Sequence, residues 1–426
     1  MPSLSRRRLL QIGGAGAVGS LAAARSSVAE TAAPSDWPKP ILELTDMTKD
    51  VAPIALDEHK ARLGRAQALL GRHGLDALVV GPSTGLTYFT GARWGLSERF
   101  FGFVLTKTGD PAWVTPAFEQ RRAEEQIKIG GDVRAWHEHE SPYETIAGIL
   151  RDRNAAGGRI GLDEALPFSF VDGIAKAVPA AAASSGTPVT AGCRMIKDAH
   201  EIAIMRRANE ITVRAHRAVF ASLAPGTPHG KAVGWTVEAH RRLGVDGGAL
   251  VLFGPDAAFP HGTTKPRDLV KGDVVLIDGG CDLHGYASDI TRTAVFGAPP
   301  TDRQRKVWDL VREAQEAAFR TVRPGVECQA VDAAARKVIV DSGFGPDYKF
   351  FTHRLGHGIG MDGHEHTYFV RGNATKLEPG MCFSDEPGIY VPGELGIRHE
   401  DIIFVTEGGA ENMTKWTGPP EDPAAV

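Results

Sequence analysis

"VVLIDGGCDLHGYASDITRTAVF" (274–296) and "MCFSDEPGIYVPGELGIRHEDIIFVT" (381–406) share one design. Each reads as an apolar strand, a turn and a second strand. In each, one acid ends an apolar run and another opens the next: Asp278 and Asp289 in the first, Glu386 and Glu400 in the second. A carboxylate at the buried end of a strand is costly unless it is paired or bound to a cation. Four in matched positions predict a shared cation site. Their charge suffices to neutralise two divalent ions, and one imidazole would complete a mostly oxygen shell. Such a shell suits Mn2+, Co2+, Zn2+ or Fe2+ rather than thiolate-selected metals. Two ions close together polarise a carbonyl and activate water, so hydrolysis follows from the arrangement.

The imidazole is sought in "HRLGHGIGMDGHEH" (353–366), which holds four histidines in fourteen residues. His353 and His357 stand four apart, the spacing of a zinc-protease helix, but Arg354 follows the first where such a helix carries Glu. Gly356, Gly358 and Gly360 also make a helix unfavourable. His364 and His366 have the same-face spacing of a strand. The helical His-x-x-x-His reading therefore fails, and the strand-spaced pair by itself does not establish a zinc site.

The set Asp278, Asp289, His357, Glu386, Glu400, with "IDGG", "SDITRT", "GHGIG", "EPGM", "EPGIY" and "GIRHEDI" around it, resembles the pita-bread metallopeptidases. These include methionine aminopeptidase, aminopeptidase P and Xaa-Pro dipeptidase (prolidase). The resemblance implies two divalent ions, Mn2+ foremost. Asp278 would hold one, His357 and Glu386 the other, and Asp289 and Glu400 would bridge them. It implies hydrolysis of an Xaa-Pro bond, in dipeptides or at peptide N-termini, through a metal-bridging hydroxide. Glu386 would also move a proton, His261 in "FPHGTTKP" and His364 would face the substrate, and His353 would lie on its proline side. Arg398 would support the ligand shell. Two residues depart from the family pattern: His399 and Asp385 stand where apolar or neutral residues are usual. They either tune the site or point away, since strand neighbours face opposite sides. The same fold also hosts small-molecule amide hydrolases, lyases and peptide-binding modules; the last usually lose metal ligands, and none is lost here.

Outward from the site, a C-terminal α+β domain, antiparallel sheet with covering helices, is expected over 193–418. Its first helix, "KDAHEIAIMRRANEITVRAHRAVFASL", opens on Asp198 and Glu201 as a capping box and ends by Pro225-Gly226. A smaller α/β domain is expected over 51–192: helix "LDEHKARLGRAQALLGRHG", strand "DALVVG", hairpin "GFVLT"–"PAWVT", helix "ETIAGILRDRN" and strand "RIGLD". This two-domain layout resembles that of the prolidase and aminopeptidase P branch. There, loops like "GLTYFTGARWGLSERFFGF" cap a neighbouring subunit's site, so the resemblance implies a homodimer and makes Trp94 and Arg99 candidate substrate contacts. "AVPAAAASSGTPVTAG" reads as a flexible break, 31–50 as a linker and 419–426 as a disordered tail.

Residues 1–30 are expected to be removed. Ser5-Arg6-Arg7 and Leu9-Leu10, a Gly/Ala-rich middle and small residues at Ser27 and Ala29 resemble a twin-arginine export signal, which implies a periplasmic or extracellular protein. The apolar run is too short for a stable membrane anchor. The net charge of −4 gives no basic footprint for nucleic acid. Cys193, Cys281, Cys328 and Cys382 form no CxxC pattern and read as small buried residues.

Overall fold

The structure, a computed structural model, describes residues 37–422. The expected export signal (1–30) lies outside these residues, as do the start of the expected linker and the last four residues of the expected tail.

The N-terminal half is built on six strands: β1 (Ala77–Val80), β2 (Gly102–Thr106), β3 (Ala112–Pro116), β4 (Asp132–Trp136), β5 (Arg159–Leu162) and β6 (Ala182–Ser185). Their order is β4-β3-β2-β1-β5-β6, with the β2–β3 hairpin antiparallel and β3–β4, β1–β5 and β5–β6 parallel. A short helix α1 (Lys39–Leu42) comes first, and the sheet is covered by α2 (Leu56–His73), α3 (Thr84–Thr90), α4 (Gln120–Gln126), α5 (Pro142–Asp152), α6 (Phe168–Ala177) and α7 (Thr187–Met195). Leu78, Val80, Phe103 and Trp113 pack with Leu63, Leu70 and Val189 on one face. Val79, Val104 and Val114 pack with Ile146, Leu150 and Ile174 on the other. β1 is apolar throughout because both its faces are covered. α2 stops at Gly74, whose φ of 64° closes the helix in the left-handed region.

Three expectations fail here. The stretch 177–192 is not a flexible break: it forms edge strand β6 and most of α7, which passes through the expected boundary at 192/193. Small residues suffice because β6 needs only backbone pairing to β5 and α7 buries Val189, Thr190 and Cys193. The expected linker is partly core, since Ile41 and Leu44 are buried against the helices of the second half. The start of the expected tail is held, with the Val295 N–H donating to the Pro420 carbonyl at 2.8 Å.

The C-terminal half is antiparallel. β7 (Asp246–Phe253), β8 (Val274–Leu283), β9 (Tyr286–Ala287) and β10 (Ile290–Val295) form one sheet, ordered β10-β8-β7 with β9 on β8. β11 (Gly356–Gly358), β12 (Glu365–Phe369), β13 (Cys382–Asp385), β16 (Asp401–Val405) and β17 (Ala410–Asn412) form another, ordered β12-β11-β13-β16-β17. β14 (Gly388–Val391) and β15 (Leu395–Arg398) pair as a separate hairpin. The second opening segment is thus four strands rather than two, with a hairpin inserted between its acids. α8 (Ala199–Phe220) and α9 (His229–Arg242) pack on the first sheet; α10 (Asp302–Thr321) and α11 (Cys328–Ile339) pack on the second. α8 opens on the expected capping box: Asp198 accepts from the His200 and Glu201 N–H groups, and Glu201 accepts from the Asp198 N–H at 3.0 Å. It ends at Phe220, a few residues before the expected Pro225-Gly226.

Arg62 of α2 and Glu201 of α8 form a pair at 3.1 Å between the halves, each side chain 1% exposed. Tyr286 donates to Glu201 at 2.8 Å and accepts from Arg62 at 2.7 Å. All four cysteines are free and buried. Among the described residues no helix is long and apolar enough to cross a membrane.

Candidate metal centre

The five acid and histidine side chains expected as ligands converge where the two sheets meet. β8 carries Asp278; Asp289 precedes β10, Glu386 follows β13, Glu400 precedes β16 and His357 is the middle residue of β11. An antiparallel bridge between Thr291 and Glu400 joins the two segments. Donor atoms of Asp278, Asp289 and Glu400 lie within 4.8 Å of one another, as do those of His357, Glu386 and Glu400, and of Asp289, His357 and His364. Glycines allow the backbones to close in. A Cβ on Gly356 would lie 1.9 Å from the Ser384 carbonyl oxygen, and one on Gly280 would lie 1.7 Å from that of Ser288.

The electrostatics fit a cation. The His357 Nδ1–H donates to the Gly358 carbonyl at 3.0 Å. That tautomer turns the Nε2 lone pair toward Glu386 at 3.3 Å and Asp289 at 3.8 Å. A lone pair facing two carboxylates is repulsive without a positive centre between them. Burial, with His364 and Arg354 nearby, holds the ring neutral, its pKa pushed down to about 3. Glu400 Oε1 is buried with no hydrogen-bond partner. Burial and crowding by the other acids push Asp289 and Glu400 well above the carboxylate range. Burial raises Glu386 to about 7 even though Arg398 opposes it. Asp278 is lowered: burial pushes it up, but Arg398 and the Thr291 hydroxyl more than offset that. Three acids pushed toward protonation, one held ionised, an orphaned oxygen and an imidazole lone pair aimed inward suit divalent ions held by oxygen and nitrogen.

The wall residues fall around this cluster. The His364 ring stacks on His357 with centroids 3.7 Å apart. His353 Nε2 meets the Tyr390 hydroxyl at 2.8 Å; that hydroxyl accepts from Arg398 at 2.8 Å, and Arg398 also pairs with Asp278. The segment bearing His353 is fixed by α11: Arg336 donates to the Phe351 and His353 carbonyls, both at 2.9 Å, and Asp332 accepts from the Leu355 N–H at 3.1 Å. His261 is exposed, and its neighbour Pro260 gives a carbonyl to Arg398 at 3.3 Å. Three residues went unread in the sequence. Thr291 lies within hydrogen-bond distance of Asp278 at 2.8 Å and Glu400 at 2.6 Å. Ser384 donates to Glu386 and accepts from the His357 N–H, both at 3.0 Å. Tyr390 joins His353 to Arg398. The signals of Thr291 and Tyr390 lay inside "SDITRT" and "EPGIY", and that of Ser384 two residues before the latter, where a hydroxyl in a strand passes for ordinary alternation.

Other positions lie apart from the cluster. His399 packs its ring on Trp308 of α10, centroids 4.4 Å apart, and meets the Trp308 carbonyl at 3.3 Å. Asp385 is fully buried opposite Asp401, its carboxylate oxygens without partners. Arg99 pairs with Glu138 at 2.9 Å, and Trp94 stacks on Phe101 at 4.0 Å, both contacts within the N-terminal half.

Residues 203–407 match the model of metallopeptidase family M24, and 62–196 match the creatinase/prolidase N-terminal domain. A probable dipeptidase PepE of Mycobacterium tuberculosis is 37% identical over 357 residues, 83% of this chain and 93% of that protein. The chain belongs to metallopeptidase family M24. Another relative, an Xaa-Pro dipeptidase of Lactobacillus delbrueckii subsp. lactis, is 34% identical over 83% of this chain and 96% of its own length. Among solved structures, dipeptidase PepE from Mycobacterium ulcerans superposes with a TM-score of 0.81 at 34% identity, covering 87% of this chain and 100% of that one. A prolidase from Thermococcus sibiricus gives 0.76 at 31% identity, covering 86% and 98%. The M24 half accordingly has the pita-bread fold expected from its motifs, behind a creatinase/prolidase-type domain.

Proposed function

We propose that this M24 peptidase hydrolyses the Xaa-Pro bond of dipeptides. The reading rests on one observation: four carboxylates and one neutral imidazole face each other with a buried oxygen of Glu400 left unpartnered. The relatives named Xaa-Pro dipeptidase supply the substrate class. Asp278, Asp289, His357, Glu386 and Glu400 would hold two divalent cations, Mn2+ first and Co2+, Zn2+ or Fe2+ as alternatives. When bound, these supply Lewis acidity toward a peptide carbonyl and lower the pKa of water.

The chain's own residues do the rest. Glu386, just after β13 and beside His357, is the carboxylate placed to take and return a proton. Arg398 keeps Asp278 ionised. His364 is neutral, lowered by burial and by Arg354, and offers a ring N–H to charge developing on the scissile carbonyl. His353, anchored by Tyr390, would lie on the proline side, and His261 would face the substrate. We read residues 1–30 as a twin-arginine signal, from Arg6-Arg7 and Leu9-Leu10, and the working form as an exported homodimer.

The test is release of the residue before proline from a panel of Xaa-Pro dipeptides, longer Xaa-Pro peptides and small amides, with Mn2+, Co2+ and Zn2+ each supplied. Dipeptide cleavage is expected; none with any metal sinks the reading. Asp289→Asn is expected to abolish binding of both ions, and two ions still bound would refute the ligand map.

A further inference from the structure

His364 lies on a loop gripped from the other half of the molecule. Its neighbour Glu365 and nearby Asp362 both turn toward the N-terminal half. Arg194, in the last turn of α7, reaches both acids; its Nε–H donates to Glu365 Oε1 at 3.2 Å, and it also pairs with Asp362. Lys197 Nζ takes the other Glu365 oxygen at 3.0 Å. Thr84, the first residue of α3, donates to Asp362 at 2.6 Å. The Asp362 N–H closes the loop on Glu365 at 3.1 Å. The Lys197 and Glu365 side chains are 2% and 4% exposed. Gly360 makes room for them: a Cβ there would lie 2.7 Å from Glu365 Oε2 and 2.8 Å from Lys197 Cε.

Buried ion pairs are weak evidence for stability, because desolvation offsets most of their attraction; their best-attested use is to fix one arrangement. Here the arrangement fixed is the loop that carries a histidine. Glu365 opens β12. Side chains of adjacent strand residues diverge, so holding Glu365 on one side orients what precedes it on the other, where the His364 ring covers His357.

We propose that Arg194 and Lys197 are positioning residues for His364, acting through Glu365, with Thr84 and Asp362 as the second anchor of the same loop. The N-terminal half then takes part in the chemistry by setting a ring, beyond any role in covering the site. The peptidase reading supplies the kinetic readout, and a spectroscopic one stands without it.

The full-length, metal-loaded protein is compared with Arg194→Lys, Thr84→Val and Glu365→Gln, each alone and with His364→Ala. Glu365→Gln leaves two buried cations facing one amide, so the two milder variants carry the test where it does not fold. Arg194→Lys is expected to lower kcat on an Xaa-Pro dipeptide about 10- to 100-fold, the loss typical of a slightly misplaced group. KM and bound metal stay as in the parent. In the His364→Ala background the same change is expected to cost less than about twofold, because residues acting through one another are not additive. The His364 ring signal, followed by NMR in the Zn2+ form, is expected to shift in Arg194→Lys and Thr84→Val. Equal losses in both backgrounds, metal lost in step with activity, or an unmoved His364 signal would each overturn the inference. If the parent cleaves no Xaa-Pro peptide, the peptidase reading falls, and the ring signal alone decides this one.

Discussion

At the residue scale, the centre depends on positions where no side chain fits. Gly356 opens β11, the strand that carries His357, with the Ser384 carbonyl against its Cα hydrogen. A methyl there meets backbone, which cannot swing aside as a side chain would. Gly356→Ala is expected to cost about 1–3 kcal/mol or more of stability by overpacking and to weaken metal binding, because His357 is the next residue. Thermal melts and metal titration of the same preparation check both. The cluster itself was legible from sequence, because an acid closing an apolar run has few uses other than binding a cation, and these side chains do come together. Thr291, Ser384 and Tyr390 were not, because a hydroxyl on a strand leaves the hydropathy pattern unchanged. Asp385 and His399 show the limit from the other side. Position in the motif suggested a part in the site, whereas strand alternation turns the His399 ring onto Trp308.

At the scale of elements, the hairpin β14–β15 has a clear use. It delivers Tyr390 and Arg398 on adjacent strands, so that one hydroxyl links His353 to the cation paired with Asp278. Tyr390→Phe removes that link and leaves the Arg398 Nη1 with one acceptor fewer. A loss of about 1–3 kcal/mol is expected from the unsatisfied buried donor. A fall of about tenfold in kcat is expected from loosened support around the ligands, with metal content unchanged. Melting and steady-state kinetics separate the two. The hairpin was invisible in the opening sequence pattern, where "PGIYVPGELGIR" passed for one long turn between two arms. Short apolar pairs between its Pro and Gly residues carry the two strands. The same reasoning failed on 177–192, where small residues hid β6 and α7 because neither needs bulk to be held.

At the scale of the molecule, the two halves are joined by buried charge. Burial alone would raise the Glu365 carboxyl, yet Lys197 and Arg194 pull it down to about 2 from an ordinary 4.5. A depressed carboxylate stabilises the fold at pH above its unfolded value and loses that contribution as pH falls toward its folded value. Wild-type melting temperature is therefore expected to drop more steeply between about pH 5 and 3 than that of Glu365→Gln, which has no proton to take up. Parallel slopes would show that the clamp carries no net charge linkage. The domain order was readable because helical and alternating patterns change near α8. The joint was not readable, since residues 171 positions apart, such as Arg194 and Glu365, leave no local trace of their pairing.

The four cysteines carry a consequence for how the chain matures. Each is buried and unpaired, and burial pushes the thiols of Cys193, Cys328 and Cys382 up to about 12 and that of Cys281 to about 11. The fold has no covalent cross-link to be made by an oxidant or broken by a reductant, and its sulfurs are poor nucleophiles while it stays closed. Closing the described fold therefore takes no disulfide-forming step.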